Sequence, residues 1–160
     1  GDGSRHGEGH RLPSELAAIH TSLGAIHSAH AEFQAALREL GLAIGAAADA
    51  GDAEGVALGL ATSAQLKLKH YRYQSAQAGF ETAFRQGEDS GVLANGTRAA
   101  VLSNAGWAAL LSGSPITAES HFLTALISAG HRSGDHSSSA AVLLKASCHA
   151  RRDGLDGHRA

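Results

Sequence analysis

Apolar positions in this chain recur at three, four and seven residues over long stretches and nowhere alternate with polar ones, so the pattern predicts helices and no strands. Leu12, Pro13 and Ser14 open a first helix, because proline is tolerated in a first turn where its missing N–H has no partner to lose. Leu16, Ile19, His20 and Leu23 share one face of that helix. Gly24 interrupts the pattern, and a longer one runs from Ala25 to Ala50 through Ile26, Phe33, Leu37, Leu40 and Ile44 until Gly51 stops it. Asp52 caps a helix over 53–70, with Val56, Leu60 and Leu66 buried, and residues 71–73 turn the chain into a helix over 74–86. The three glycines within 87–96 mark a loop, after which a helix covers 97–111. Gly113, Ser114 and Pro115 then start a helix that ends near Gly130, the segment HRSGDHSSS is a loop, and a last helix spans 140–152. The glycine-rich, polar stretch 1–11 reads as a disordered tail and 153–160 as a frayed one, leaving 12–152 as a single folded domain.

Composition narrows the packing and excludes several functions. Aromatic residues are only 4% of the chain while alanine is about one residue in five, which favours helices approaching closely over a core of bulky rings. A formal charge of −2 gives no sign of a nucleic-acid binder or of a protein that docks on anionic membranes. Cys148 stands alone, so internal disulfides and multi-thiolate metal sites are excluded, and its ordinary role is a small buried residue. No apolar run approaches a membrane span and the polar start lacks the apolar stretch of a signal peptide, which reads as soluble and cytoplasmic. Methionine is missing altogether, position 1 included, as expected of a trimmed chain or a piece of a longer protein.

An internal repeat organises the helices. Ala29-x3-Phe33-x2-Ala36 recurs as Ala76-x3-Phe80-x2-Ala83 and as Ala118-x3-Phe122-x2-Ala125, at separations of 47 and 42 residues. Residues at i, i+4 and i+7 share a helical face, and small residues flanking a large one let a neighbouring helix settle around the ring. An upstream helix supplies that neighbour, with Leu60 and Ala64 before Phe80 and Leu102 and Gly106 before Phe122. On these residues the stretch 12–152 resembles tetratricopeptide repeats, which pair an early large residue and a small one on a first helix with Ala-x3-Phe-x2-Ala on a second. The repeats exceed the family's length of about 34 residues and lack its closing proline. Stretched, alanine-rich repeats with a Gly-Asp element between units (Gly51-Asp52, Gly134-Asp135) are similar to those in bacterial multidomain transcriptional regulators. The fold implied is all-α: a right-handed α-solenoid of about three antiparallel helix pairs plus a terminal helix.

The resemblance also implies where a partner binds. First helices of successive units line a concave face, which here takes Leu58, Ala61, Gln65, Leu68 and Lys69 from one unit and Ser103, Trp107, Leu110 and Leu111 from the next. Lys145, His149 and Arg152 follow from the last helix. Such a groove is half apolar and mildly basic, suited to a protein or peptide with apolar anchors and an acidic element. Gln65, Lys69, Ser103, Trp107, Leu111, Lys145, His149 and Arg152 are the candidate partner-binding residues, although a lone tryptophan on a helix more often serves the core. Of the Lys, Asn and Arg set used by the family's carboxylate-binding members only Asn104 matches, with Ala61 and Val142 where lysines are expected, so a carboxylate clamp is not expected.

Histidines are abundant, 11 in all, and His20, His27 and His30 are spaced to share a helical face, while His131, Asp135 and His136 cluster in a loop. Gly24 breaks the face that His20, His27 and His30 would share, the loop cluster lacks a firm third ligand, and His6 and His10 sit in the tail, so no metal site or cofactor is expected. No phosphate loop, Gly-x-Ser-x-Gly, His-Glu-x2-His or Cys-His pair marks a catalytic centre. The leading expectation is a protein-interaction scaffold that holds a peptide or partner domain on its concave face. A ligand-sensing or regulatory domain of a larger transcription regulator and a small helical enzyme or metal protein using the histidines stay open. So does a homodimer through the terminal helices, since a short solenoid leaves apolar surface at its ends and Val142, Leu143 and Leu144 stand in a row.

Overall fold

A computed structural model describes residues 5–130 and 139–156, with side chains for 11–130 and 144–153. Seven helices follow one another: α1 (Arg5–Ala29), α2 (Phe33–Asp49), α3 (Ala53–Lys69), α4 (Tyr73–Ser90), α5 (Asn95–Leu111), α6 (Pro115–Ser128) and α7 (Ser139–Asp156), with no strand among the described residues. They pack in antiparallel pairs, α1 on α2, α3 on α4 and α5 on α6, and each pair stacks on the next through α2–α3, α4–α5 and α6–α7 contacts. This is an α-solenoid of three pairs and a terminal helix. The expected clusters at His131, Asp135 and His136, the second Gly-Asp element, and the side chains of His6, His10, Val142 and Leu143 lie outside the described residues.

The same turn recurs within the three pairs and between the first two. A residue at positive φ ends the helix and the following amide returns to a carbonyl five residues back: Glu32 N to His27 O at 2.8 Å, Asp52 N to Ala47 O at 2.9 Å, Arg72 N to Lys67 O at 3.0 Å and Ser114 N to Ala109 O at 2.8 Å. Glycine supplies the positive φ at Gly51, Gly91, Gly113 and Gly130, but Ala31 (φ 59°) and Tyr71 (φ 60°) supply it in the first two pairs. The chain therefore turns at 30–32, where the sequence carries no glycine signal, and not at Gly24. α1 passes through Gly24 and Pro13 without a break and begins at Arg5, inside the stretch read as a tail. At the other end α7 continues past Arg152 to Asp156.

Moving that turn corrects the repeat. Phe33 is the first residue of α2 and partly buried, whereas Phe80 and Phe122 are each the eighth residue of their helices and fully buried. The eighth residue of α2 is Leu40, and the true first copy is Ala36-x3-Leu40-x2-Ala43, 40 residues before Ala76-x3-Phe80-x2-Ala83 and 82 before Ala118-x3-Phe122-x2-Ala125. All nine of these side chains are 5% exposed or less. Sixteen residues before each large residue a small one stands on the first helix of the pair: Gly24 before Leu40, Ala64 before Phe80, Gly106 before Phe122. A Cβ on Gly106 would lie 2.4 Å from Phe122 Cε1, and one on Gly24 would lie 3.2 Å from Leu40 Cγ. Gly24 is thus where α2 presses on α1, and the helix accepts the roughly 1 kcal/mol propensity cost of glycine because the packed Leu40 outweighs it.

Candidate functional site

The first helices of the pairs, α1, α3 and α5, form three walls of a groove of about 680 Å³. Thr21, Ala25, Ser28 and Ala29 line it from α1, Leu58, Ala61, Thr62, Gln65 and Lys69 from α3, and Thr97, Ala100 and Asn104 from α5. Leu40, Leu66, Phe80 and Val101 form its floor at the top of the core. Lys69 is the only charged side chain on this lining. Small residues open the groove at α1, where Ala25 stands at the position equivalent to Gln65 on α3 and Trp107 on α5, and Ala29 at that of Lys69 and Leu111.

The polar groups of the lining divide into satisfied and free. Thr21 and Thr62 turn their hydroxyls back onto their own helices, donating to Ala17 O at 2.8 Å and Leu58 O at 2.9 Å. Among the described residues Gln65, Asn104 and Lys69 make no side-chain hydrogen bond or ion pair, although all three border the groove. Two opposed carboxamides and one ammonium therefore face the cavity with their donors and acceptors unspent. A carboxamide carries one acceptor and two donor hydrogens, the complement of a peptide bond's N–H and C=O.

The structure brings only part of the expected set into the groove. Gln65 and Lys69 line it, together with the expected Leu58 and Ala61, whereas Leu68 is partly buried against the Phe80 cluster. Ser103, Trp107 and Leu111 stand on α5, 42 residues after Ala61, Gln65 and Lys69, and none of the three lines this cavity. Lys145 and His149 stand a further 42 residues on, and Lys145, His149 and Arg152 are all exposed on α7. Trp107 is 37% exposed and Leu111 38%, so neither is sealed in the core. Missing from the expectation was the entire α1 wall, because Gly24 was read as a break. Leu40 at the eighth position of α2 was the sequence signal for it.

The charged side chains elsewhere tie helices to one another. His20 Nδ1 meets Glu39 Oε2 at 2.7 Å across α1 and α2, and His27 pairs with Glu32 beside the turn. His121 Nε2 lies 2.9 Å from Glu81 Oε1, joining α6 to α4, and Gln77 Nε2 donates to the same oxygen at 3.0 Å while Gln77 Oε1 accepts from the Ser112 hydroxyl at 2.9 Å. Burial raises the Glu81 carboxyl's pKa, but hydrogen bonds from Gln77 and His121 and the positive charges of His121 and Arg85 outweigh it and leave the pKa below its ordinary value. Arg98 pairs with Glu88 at 2.6 Å and Arg151 with Glu119 at 2.9 Å. His20 and His27 are turned to α2 by these contacts, and among the described residues no three His, Cys, Asp or Glu side chains come together as a metal site would need. Cys148 is only partly buried, more open than a small core residue. Among the described residues no helix is long and apolar enough to cross a membrane.

No family model matches the sequence, and no curated protein matches it. Solved structures do. The chain is similar to the N-terminal domain of stress-induced protein-1 (STI-1) from C. elegans, with a TM-score of 0.68 at 16% identity over 87% of this chain and 97% of that one. It is also similar to BtubC (BKLC) from P. vanneervenii, with a TM-score of 0.73 at 18% identity over 88% of this chain and 58% of that one. At such identities the likeness establishes the fold, a tetratricopeptide-repeat-like solenoid, and the function has to be argued from the groove.

Proposed function

We propose that this tetratricopeptide-repeat-like solenoid is a protein-interaction scaffold whose concave face holds an extended segment of a partner protein. The observation that carries the reading is the groove between α1, α3 and α5, in which Gln65, Asn104 and Lys69 have no partner within the chain. Gln65 and Asn104 take the partner's backbone, which fixes it as extended chain, and the small side chains Ala25, Ala61 and Ala100 leave room for apolar anchors on the Leu58 side. Lys69, followed along the stripe by Lys145, His149 and Arg152, favours an acidic element in the same segment. Trp107 and Leu111 offer an apolar step between the two basic positions. Ser103 lies beside them as a hydrogen-bonding group.

The test is selection of binders from a random peptide library on the 160-residue chain, followed by affinity measurement with variants. Ala100→Arg, at an exposed position on the groove wall, should weaken selected peptides about tenfold or more, equivalent to about 1.4 kcal/mol, with helical circular dichroism unchanged. Lys69→Glu should shift selection away from acidic peptides. Peptides that bind both variants as tightly as the parent chain would remove the groove from the account.

A further inference from the structure

α1 carries a second surface on its outer side. Leu12, Leu16, Ile19, Leu23 and Ile26 recur at intervals of four, three, four and three residues, and they are 62%, 40%, 53%, 37% and 52% exposed. That spacing is a heptad seam, a straight apolar line about 21 Å long on one side of the helix. Five such side chains make a contiguous patch on the order of a few hundred Å², about the size of the largest apolar patch on a typical soluble monomer, which often marks an interaction surface. The repeat shows what the face is shaped for. Forty residues on, Gly59 and Leu66 occupy the positions of Ile19 and Ile26 on α3 and pack toward α2, where a Cβ on Gly59 would lie 2.7 Å from Ile44 and Leu66 is buried with Ala36 and Leu40. On α5 the counterparts Val101, Ala105 and Ala108 are buried against the Phe80 cluster. The outer face of α1 is thus a seat for a helix.

We infer that the helix seated there is α1 of a second copy, the two chains pairing antiparallel about a two-fold axis near Ile19. The seam is close to palindromic about that residue: Leu12 and Ile26 lie seven residues to either side, with Leu16 three before and Leu23 four after. Reversed against itself it places apolar side chains opposite apolar ones along its whole length. The exposed polar side chains next to Ile19 are Ser22, whose hydroxyl is satisfied by Ala18 O at 2.9 Å, and Glu15 one turn before it, whose carboxylate is paired with Arg11 of the same helix at 3.1 Å. The other exposed apolar set, Ile116, Leu123 and Ile127 on α6, is a poorer complement because Ser120 interrupts it. An isologous contact also closes, whereas α1 seated on α6 of the next copy would build an open chain. The groove lies on the opposite side of α1, at Thr21, Ala25 and Ser28, so both grooves of the dimer stay open.

Sedimentation equilibrium on the 160-residue chain is the first test, with twice the chain mass expected at tens of micromolar. Ile19→Lys, at a position 53% exposed, should return the mass to that of one chain with helical circular dichroism unchanged. In a Cys148→Ser background, Ile19→Cys should give a covalent dimer on mild oxidation, while Leu12→Cys alone should not, since the two copies of Leu12 lie at opposite ends of the seam. A chain that sediments as a monomer at these concentrations overturns the inference. So does an assembly that survives Ile19→Lys, one that is lost on Leu123→Lys instead, or one that cross-links through Leu12→Cys.

Discussion

Gly106 and Gly45 both lie inside helices, and their surroundings give them opposite roles. A Cβ on Gly106 would meet three atoms of the Phe122 ring at 2.4 to 2.8 Å, so the ring and backbone must shift to admit even a methyl group. Gly106→Ala should therefore lower stability by about 1–3 kcal/mol in urea unfolding. Gly45 has nothing within 4 Å of the same added atom and is exposed, so Gly45→Ala should raise stability by up to about 1 kcal/mol through helix propensity alone. Equal effects at the two sites would contradict the packing described for α5 and α6. Composition alone does not separate these glycines, since both sit in alanine-rich helical stretches. The sixteen-residue spacing to Phe122 is what marks Gly106.

Among the elements, α3 shows how local chemistry sets a boundary. Asp52 Oδ1 accepts from Gly55 N at 2.8 Å, and Gly55 itself leaves room for the carboxylate, since a Cβ there would lie 2.3 Å from Asp52 Oδ2. Asp52→Ala should cost about 1 kcal/mol of stability, measured by thermal or urea unfolding. Between α4 and α6 the Glu81 cluster predicts a pH dependence. Because the folded state holds the Glu81 pKa below its ordinary value of 4.5, the stabilisation is complete above that value and is lost as the pH falls through the lower folded one. The urea midpoint should drop on acidification below about pH 5, and Glu81→Gln should flatten part of that drop. A parallel, undiminished drop in the variant would assign the acid sensitivity to other carboxylates. The start of α3 with its Asp52 cap, the end of α4, and α5 and α6 were legible because Gly or Pro signals coincide with the turns beside them, whereas the turn from α3 to α4 at Tyr71 carries neither. The first pair was not, because Ala31 takes the positive φ normally read from glycine while Gly24 is spent on a close contact. One misplaced turn then shifted the repeat by two helical turns and matched Phe33 where Leu40 belongs.

At the scale of the whole molecule, the stacking of three pairs decides the function argued for it. Gln65 and Lys69 were recognised from their place in the repeat, whereas Thr21, Ala25 and Ser28 entered the groove only once α1 ran unbroken through Gly24. The free carboxamides of Gln65 and Asn104 were likewise invisible in the sequence, since whether a polar side chain finds a partner depends on helices far away along the chain. The central claim is that an extended peptide lies on this concave face. Backbone amide chemical shifts of the 160-residue chain, recorded on titration with a library-selected peptide, test it directly. The account predicts that the largest changes fall at Thr21, Ala25, Ala61, Gln65, Ala100 and Asn104 and extend along α5 to Trp107. Changes confined to the outer faces of α2, α4 and α6, with these residues unmoved, would contradict it.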